Sequence, residues 1–243
     1  MRRMLWVFLI LFSAHLFGQN TIPAGTILPV ALNSSLNSRK AKVGQVITGR
    51  VMQDVPLPQG TIHAGSKVIG HVTNVKPADA RSGAQLSFRF DTLIDSKQRV
   101  PIVANLRALA SMMAVEAAQL PESGPDRGTS QNAWTTDQIG GEVVYRGGGP
   151  VANGLRPVGE PTTNGVLVHI SAKPGSKCRG EIEGNDRLQA TWVFSSDACG
   201  VYDIPNLEIA HSGRTNSVGE ITLASTKGEV SVRAGSGMLL RLD

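Results

Sequence analysis

Ile22-Pro-Ala-Gly-Thr-Ile-Leu-Pro-Val-Ala-Leu32, Ile62-His-Ala-Gly-Ser-Lys-Val-Ile-Gly-His-Val72 and Val232-Arg-Ala-Gly-Ser-Gly-Met-Leu-Leu-Arg-Leu242 are copies of one 11-residue cassette. Each opens on [Ile/Val]-x-Ala-Gly-[Ser/Thr] and continues with apolar residues at every second place. The opening predicts a tight turn, read as type I with Pro23 at its second position and Gly25 at its fourth. Gly65 and Gly235 are the matching turn glycines. Beyond the turn, Leu28, Val30 and Leu32 share one face of a strand, as do Val68, Gly70 and Val72, and Met238, Leu240 and Leu242. The predicted fold class is therefore all-β: an antiparallel barrel or sandwich with one short helix and a Gly/Pro-rich insertion.

Outward from the cassettes, strands are predicted at Thr26 to Asn33, Gln45 to Gln53, Lys67 to Lys76, Ala84 to Ile94 and from Val100 on. Leu86, Phe88 and Phe90 alternate with Ser87, Arg89 and Asp91, which predicts one core face and one wet face. After Val100 the strand is expected to reach about Leu106, with a short Ala- and Met-rich helix following and Pro121 as its stop. From Pro121 to Gly165, 15 of 45 residues are Gly or Pro and the apolar residues are scattered. Such a stretch reads as a linker, a long loop or an insertion, with one short strand at Glu142 to Tyr145.

Strands resume at Val166 to Ser171, Leu188 to Phe194, Glu220 to Ala224, Glu229 to Ala234 and Met238 to Leu242. In the second of these, Leu188, Ala190, Trp192 and Phe194 fall on one face, which makes Trp192 a core residue. Thr226-Lys227-Gly228 is expected to turn a hairpin that leads into the last cassette. The domain reading is a signal peptide over 1–18, a β-barrel-like domain over 19–110, the helix and Gly/Pro-rich linker over 111–164, and a β-rich carboxyl-terminal part over 165–243. That last part either completes the first domain, its final strand returning to the first sheet, or stands as a second.

The amino terminus, with Arg2 and Arg3 before an apolar run from Met4 to Phe12, has the form of a secretory signal peptide, with cleavage expected after Gly18. The alternative is an uncleaved membrane anchor, the only route by which this reading gives the chain a membrane contact. Removal of the segment takes two of 24 basic residues and leaves 22 against 19 acidic ones, a formal charge of +3. With basic residues dispersed and aromatics at 5%, nucleic acid is not an expected partner. The expected location is periplasmic or secreted. The two cysteines, Cys178 and Cys199, are expected to form a disulfide there, flanking the Leu188 to Phe194 strand; two buried free thiols are the rival. Their spacing and the distance in sequence to His169 and His211 give little support to a metal site.

Nucleophile-elbow, Ser-x-x-Lys, zincin and P-loop signatures are absent from the sequence, and Gly147-Gly148-Gly149 lacks a following helix because Pro150 and Gly154 interrupt. No enzyme activity and no cofactor are expected. His63 and His71 read as surface residues, with metal binding by His71 and Asp79 or Asp91 not required by the spacing. His169 lies between Val168 and Ile170. His211-Ser212-Gly213-Arg214-Thr215 is the candidate ligand-binding stretch: His211, Ser212 and Arg214 could take an anion or a sugar, or else cap a turn.

Three segments resemble a known family. Pro23-Ala-Gly-Thr-Ile-Leu-Pro-Val-Ala-Leu-Asn-Ser-Ser-Leu36, Gly49-Arg-Val-Met-Gln-Asp-Val55 and Ile62-His-Ala-Gly-Ser-Lys-Val-Ile-Gly70 follow one another as in the β-barrel domain of the conjugation and type IV secretion scaffold family. The resemblance covers about residues 22 to 102. It implies a structural component of the bacterial envelope whose partners are other envelope proteins or its own copies, with no catalytic residues to carry over. The Pro-rich spacer of that family is missing, and the Gly-rich stretch and the cysteine-flanked strand lie outside its pattern. A looser likeness joins the Ile22-Pro-Ala-Gly-Thr26 opening to SAF-type β-clip modules. The alternative to an envelope scaffold is a periplasmic ligand- or carbohydrate-binding β-sandwich.

Overall fold

The computed structural model describes residues 22–79, 82–121, 135–171, 178, 185–213, 215 and 217–243. The predicted signal peptide and Arg214 lie outside the described residues. β1 (Ile27–Leu32), β2 (Leu36–Asn37) and β3 (Val46–Val51) are followed by a small hairpin, β4 (Val55–Leu57) and β5 (Gly60–Ile62). The long ribbon β6 (Lys67–Lys76) and β7 (Gln85–Asp95) leads through β8 (Gln98–Pro101) into β9 (Ala104–Ala110) and the helix α1 (Met112–Gln119). Next come β10 (Thr135–Asp137), β11 (Val143–Tyr145), β12 (Val151–Asn153), β13 (Arg156–Thr162), β14 (Gly165–His169) and β15 (Leu188–Ala190). The chain ends with β16 (Gly200–Tyr202), β17 (Leu207–Ile209), β18 (Ile221–Ser225), β19 (Ser231–Val232) and β20 (Gly237–Leu242).

The cassette turns dock in reciprocal pairs. The Gly25 amide donates to the Leu242 carbonyl (2.7 Å) and the Leu242 amide donates back to Thr26 (2.9 Å). At the other end of the same ribbon the Gly235 amide donates to Leu32 (2.8 Å) and Leu32 donates to Ser236 (3.0 Å). Between them β1 and β20 run antiparallel, with Ile27 opposite Arg241 and Ala31 opposite Gly237. One two-fold relation thus carries Gly25 onto Gly235 and Leu32 onto Leu242.

A fourth copy, Ala41-Lys-Val-Gly-Gln-Val-Ile-Thr-Gly-Arg-Val51, completes a second pair. Gly44 donates to Val72 and Gly65 to Val51 (each 2.8 Å), while Val72 and Val51 donate back to Gln45 and Ser66 (2.9 and 2.8 Å). β3 and β6 lie between these turns, with Val46 opposite His71 and Arg50 opposite Lys67. All four turns are type II, a correction to the type I reading. Each is closed by a bond from the residue after glycine to the residue two before it, Thr26 to Pro23, Gln45 to Lys42, Ser66 to His63 and Ser236 to Arg233. Glycine therefore sits at the third position, where φ is +81°, +82°, +91° and +85° and a side chain would be strained.

These ribbons form the middle of a ten-stranded sheet in the order β16-β9-β20-β1-β3-β6-β7-β18-β17, with β8 also paired to β7. The β9–β16 pair is parallel and the other pairs are antiparallel. No ladder joins β16 to β17 at its two ends, so of the two predicted architectures the sheet follows the sandwich and not the closed barrel. One face carries the larger core, with Leu28, Val30, Leu32, Val68, Phe88, Leu106, Met238 and Leu240 among its members. Each such side chain contributes roughly 1.5–3 kcal/mol by leaving water.

The opposite face of β1, β9 and β20 is also covered, which the sequence reading did not foresee. Ile27, Ala31, Ala108, Ala110 and Leu239 on that face join a second core with Val144, Val151, Val166, Val168 and Phe194. Val144 and Val151 come from the Gly/Pro-rich stretch, and Val166 and Val168 from the predicted strand that follows it. The stretch is not a plain linker: from Thr135 on it supplies β10 to β13 of a second, six-stranded antiparallel sheet in the order β10-β11-β12-β13-β14-β15, which β14 and β15 complete. Gly140, Gly147, Gly148 and Gly154 fall in turns, whereas Pro157, Gly159 and Pro161 lie within the interior strand β13; Ile139, Val144 and Val151 are buried in the core shared with the back of β1 and β20. Residues 122–134 of the predicted linker lie outside the described residues.

Four local expectations are also corrected. β9 runs to Ala110, four residues past the predicted strand end, because β20 pairs along it from Leu242 to Gly237. The helix starts only after Ser111, whose hydroxyl accepts the Ala114 amide as a cap. Its buried Val115 sits against Gly237, where a β-carbon would come within 2.9 Å of the valine. The expected hairpin at Thr226 to Gly228 does not form. β18 pairs with β7 and β17, whereas β19 crosses to β2, where Ser38 and Val230 exchange backbone and side-chain bonds. The strand from Leu188 ends at Ala190: Trp192 has φ +56°, and the Phe194 amide turns back to Thr191. Ala190 belongs to the first core, whereas Trp192 and Phe194 belong to the second.

Candidate functional site

The sequence-predicted residues scatter across the fold. Gly25, Gly65 and Gly235 hold the turns described above and face no common cleft. Cys178 and Cys199 are joined in a disulfide with Cα atoms 5.2 Å apart. Cys199 is buried, and its amide donates to the Tyr202 hydroxyl. A disulfide is the state expected of cysteines in an oxidising compartment.

His211 and Ser212 follow β17, where the Ala210 amide bonds to Thr222. Among the described residues, His211 Nδ1 and the buried Ser212 Oγ have no hydrogen-bond partner, and neither residue lines any of the clefts below. The other histidines have local roles. His71 Nδ1 lies 2.9 Å from Asp91, and His63 Nδ1 lies 3.2 Å from Asp95, whose carboxylate also accepts the Ser66 hydroxyl. Burial pulls the Asp95 pKa upward, but bonds from Ser66 and His63 outweigh it and hold the group below its ordinary value. Among the described residues no group of three or more His, Cys, Asp or Glu is arranged to hold a metal ion.

The chemically loaded positions that sequence reasoning missed are buried polar side chains between the two sheets. Gln53, just past β3, reaches across: its Oε1 accepts the Trp192 and Val166 amides (2.7 and 3.2 Å), and its Nε2 donates to the Val166 carbonyl and Thr162 Oγ1 (2.7 and 3.1 Å). Gln189 Oε1 accepts the Ile27 amide, and Gln138 Nε2 donates to the Phe194 carbonyl (each 3.0 Å). Glu142 takes the Ser196 amide at 2.9 Å and the Ser196 hydroxyl besides. Burial pushes its carboxyl above the usual range against those two bonds, and the Asp197 charge adds to the rise.

Arg107, 1% exposed, is the largest fully buried side chain among the described residues. Its Nε donates to the Ala198 carbonyl (3.0 Å) and its Nη2 to Ser171 and Ser196 (2.9 and 3.5 Å). Burial pulls its pKa down to about 10, offset in part by Tyr202 and Asp197. The visible signal was a charge inside the apolar run Ala104-Asn-Leu-Arg-Ala-Leu-Ala110. Neighbouring Asn105 is also fully buried, and its Oδ1 accepts the amides of Thr215 and Gly219 while its Nδ2 donates to Asp243.

Among the described residues three clefts open on this framework. One of about 780 Å³ lies beside β13 and β14 and is lined by Arg156, Glu160, His169, Ser171 and Asp197. A second, about 550 Å³, opens between β3 and the second sheet and is lined by Arg50, Met52, Thr136, Arg146 and Trp192. The third, about 480 Å³, lies under the β4–β5 hairpin beside His63 and Asp95. The class that fold and site define is an all-β protein of two packed sheets with a disulfide. Compared with known proteins, the chain matches no family model, no curated protein and no solved structure.

Proposed function

We propose that the chain is an exported, non-enzymatic structural or interaction protein of the bacterial cell envelope, working as a rigid module that holds other envelope proteins or further copies of itself. The observation that carries this reading is how the buried polar side chains are used. Gln53, Gln189 and Arg107 bond backbone groups across the two sheets, while Gln138, Glu142 and Asn105 tie neighbouring segments on either side, which fixes one sheet on the other. The Cys178–Cys199 disulfide supports an oxidising compartment, and the signal-peptide form of residues 1–18 supports export. The likeness of residues 22–102 to the conjugation and type IV secretion scaffold family supports an assembly role.

Fractionation of cells carrying the full-length chain, with crosslinking and thiol titration, tests the reading. The expected result is protein in the envelope fraction, with no free thiol in denatured, unreduced material and a crosslinked envelope partner or self-adduct. Cytoplasmic protein with two free thiols, or a free monomer with no crosslinked partner, overturns it.

A further inference from the structure

The cleft between β3 and the second sheet is lined by two arginines, Arg50 from β3 and Arg146 just past β11, and, among the described residues, by no Asp or Glu. Arg146 is half-buried, and its Nε donates to Thr136 Oγ1 at 3.2 Å, which fixes the plane of the guanidinium. Its two terminal nitrogens have no hydrogen-bond partner and no ion pair among the described residues, and Arg50 has none either. Across the β3–β6 ladder Arg50 faces Lys67, a further cation. Asp54, whose carboxylate accepts the Ala64 amide at 2.7 Å, is not among the residues that line the cleft. Burial lowers the Arg146 pKa with no compensating charge, as expected of a partly desolvated cation that lacks a counter-ion.

The walls add shape to this charge. Val51, Met52, Trp192 and Val193 form the apolar part, and Thr136 and Asn164 add polar groups. Trp192 is held in the left-handed region, φ +56°, by the bond from its amide to Gln53. Backbone strain of this kind in a bulky residue is stored where the surroundings over-determine it, and such places cluster at ligand sites. A cleft of about 550 Å³ has room for more than a lone inorganic anion.

We infer that this cleft is an oxyanion-binding site, in which Arg50 and Arg146 receive a carboxylate or phosphate group of a small ligand whose remaining part, of sugar or dipeptide size, lies against Met52 and Trp192. Guanidinium groups suit this role because their planar donor forks match both oxyanions. The site does not depend on the envelope reading, since a cytoplasmic or a periplasmic protein could use it equally.

Titration calorimetry of the purified chain with glucuronate, glucose 6-phosphate and glucose tests the site. Saturable binding of at least one anionic probe is expected, with none for glucose. Preference for glucuronate identifies a carboxylate ligand, and preference for glucose 6-phosphate a phosphate ligand. Arg50→Ala and Arg146→Gln should each weaken that binding about tenfold or more. Arg39→Ala, which removes an exposed arginine paired with Glu229, should leave it unchanged. Should Arg146→Gln fail to fold, Arg50→Ala decides alone, because its side chain is exposed on β3. No saturable binding of either anionic probe at millimolar concentration, equal affinity in Arg50→Ala, or equal weakening by Arg39→Ala overturns the proposal.

Discussion

The amide of Gly25 donates to the carbonyl of Leu242 across 2.7 Å, tying the first described turn of the chain to its last strand. With Leu242 donating back to Thr26, the contact is a closed two-bond unit, and the same unit recurs at Gly44, Gly65 and Gly235. Each glycine serves twice. It supplies the positive φ of a type II turn and presents an unhindered amide to a neighbouring strand end.

Substitution of these glycines by alanine separates the two contributions. At Gly65 an added β-carbon meets nothing within 4 Å, so Gly65→Ala should lose only the left-handed preference, about 1–2 kcal/mol. At Gly235 the same carbon would lie 2.9 Å from Met112 Cγ on the helix, so Gly235→Ala should cost more than Gly65→Ala. Urea unfolding of both variants measures the order, and a Gly65→Ala loss equal to or above that of Gly235→Ala contradicts it.

Gln53 is the densest bridge between the sheets. Gln53→Leu leaves the Trp192 and Val166 amides and the Val166 carbonyl without this partner, at about 1–3 kcal/mol for each buried group stranded. A loss of roughly 3 kcal/mol or more is expected, with faster hydrogen exchange at Val166 and Trp192. A loss under about 1 kcal/mol would mean that water replaces the side chain, and the bridge would then be incidental.

Stability should respond to pH in two opposed ways. Glu142 holds its proton more tightly in the folded chain, because burial raises its pKa above the ordinary 4.5. Its folded state is favoured most below 4.5, and that advantage is lost as pH climbs from 4.5 to the raised value. Asp95 behaves oppositely: its pKa lies below the ordinary 3.8, so its contribution is complete above 3.8 and is lost as pH falls through the lowered value. Glu142→Gln retains an acceptor for the Ser196 amide and removes the titration. Denaturant midpoints measured across pH should decline above 4.5 in the parent chain and stay flatter in this variant; a parallel decline in both would refute the assignment to Glu142.

The legible part of the fold was the part governed by local sterics. The strand from Lys67 to Lys76 matches the expected limits because alternation and a glycine turn mark both its faces and its start. The copy at Ala41 to Val51 escaped notice because Ala41, Val43 and Gln45 stand where the others have Ile or Val, Ala, and Ser or Thr, so only the glycine of the opening is kept. That second turn position points to solvent, and Val43 is 68% exposed, so the turn does not need alanine there. The stretch from Thr135 to Gly165 looked too poor in apolar residues to order itself, and alone it would be. Its Val144 and Val151 are buried in a core shared with Ile27, Ala31 and Leu239, each 88 or more residues away in sequence.

The candidate site was the least legible. His211 and Ser212 form a polar run in sequence but meet no described cleft, whereas Arg50 and Arg146 share one only because two sheets stack. Likewise Trp192 fits an alternating pattern until the Gln53 side chain captures its amide and turns the chain.

By itself, then, the sequence determined the all-β class, the turn-and-strand cassette and the cysteine pair. Each follows from φ/ψ preferences, period-two burial or redox chemistry, which act within a few residues or on residue type alone. Only the tertiary structure decided the reciprocal docking of Gly25 on Leu242 and Gly235 on Leu32, the second sheet and the arginine-lined cleft. Backbone amides and guanidinium groups carry no record in the sequence of the distant partners they meet.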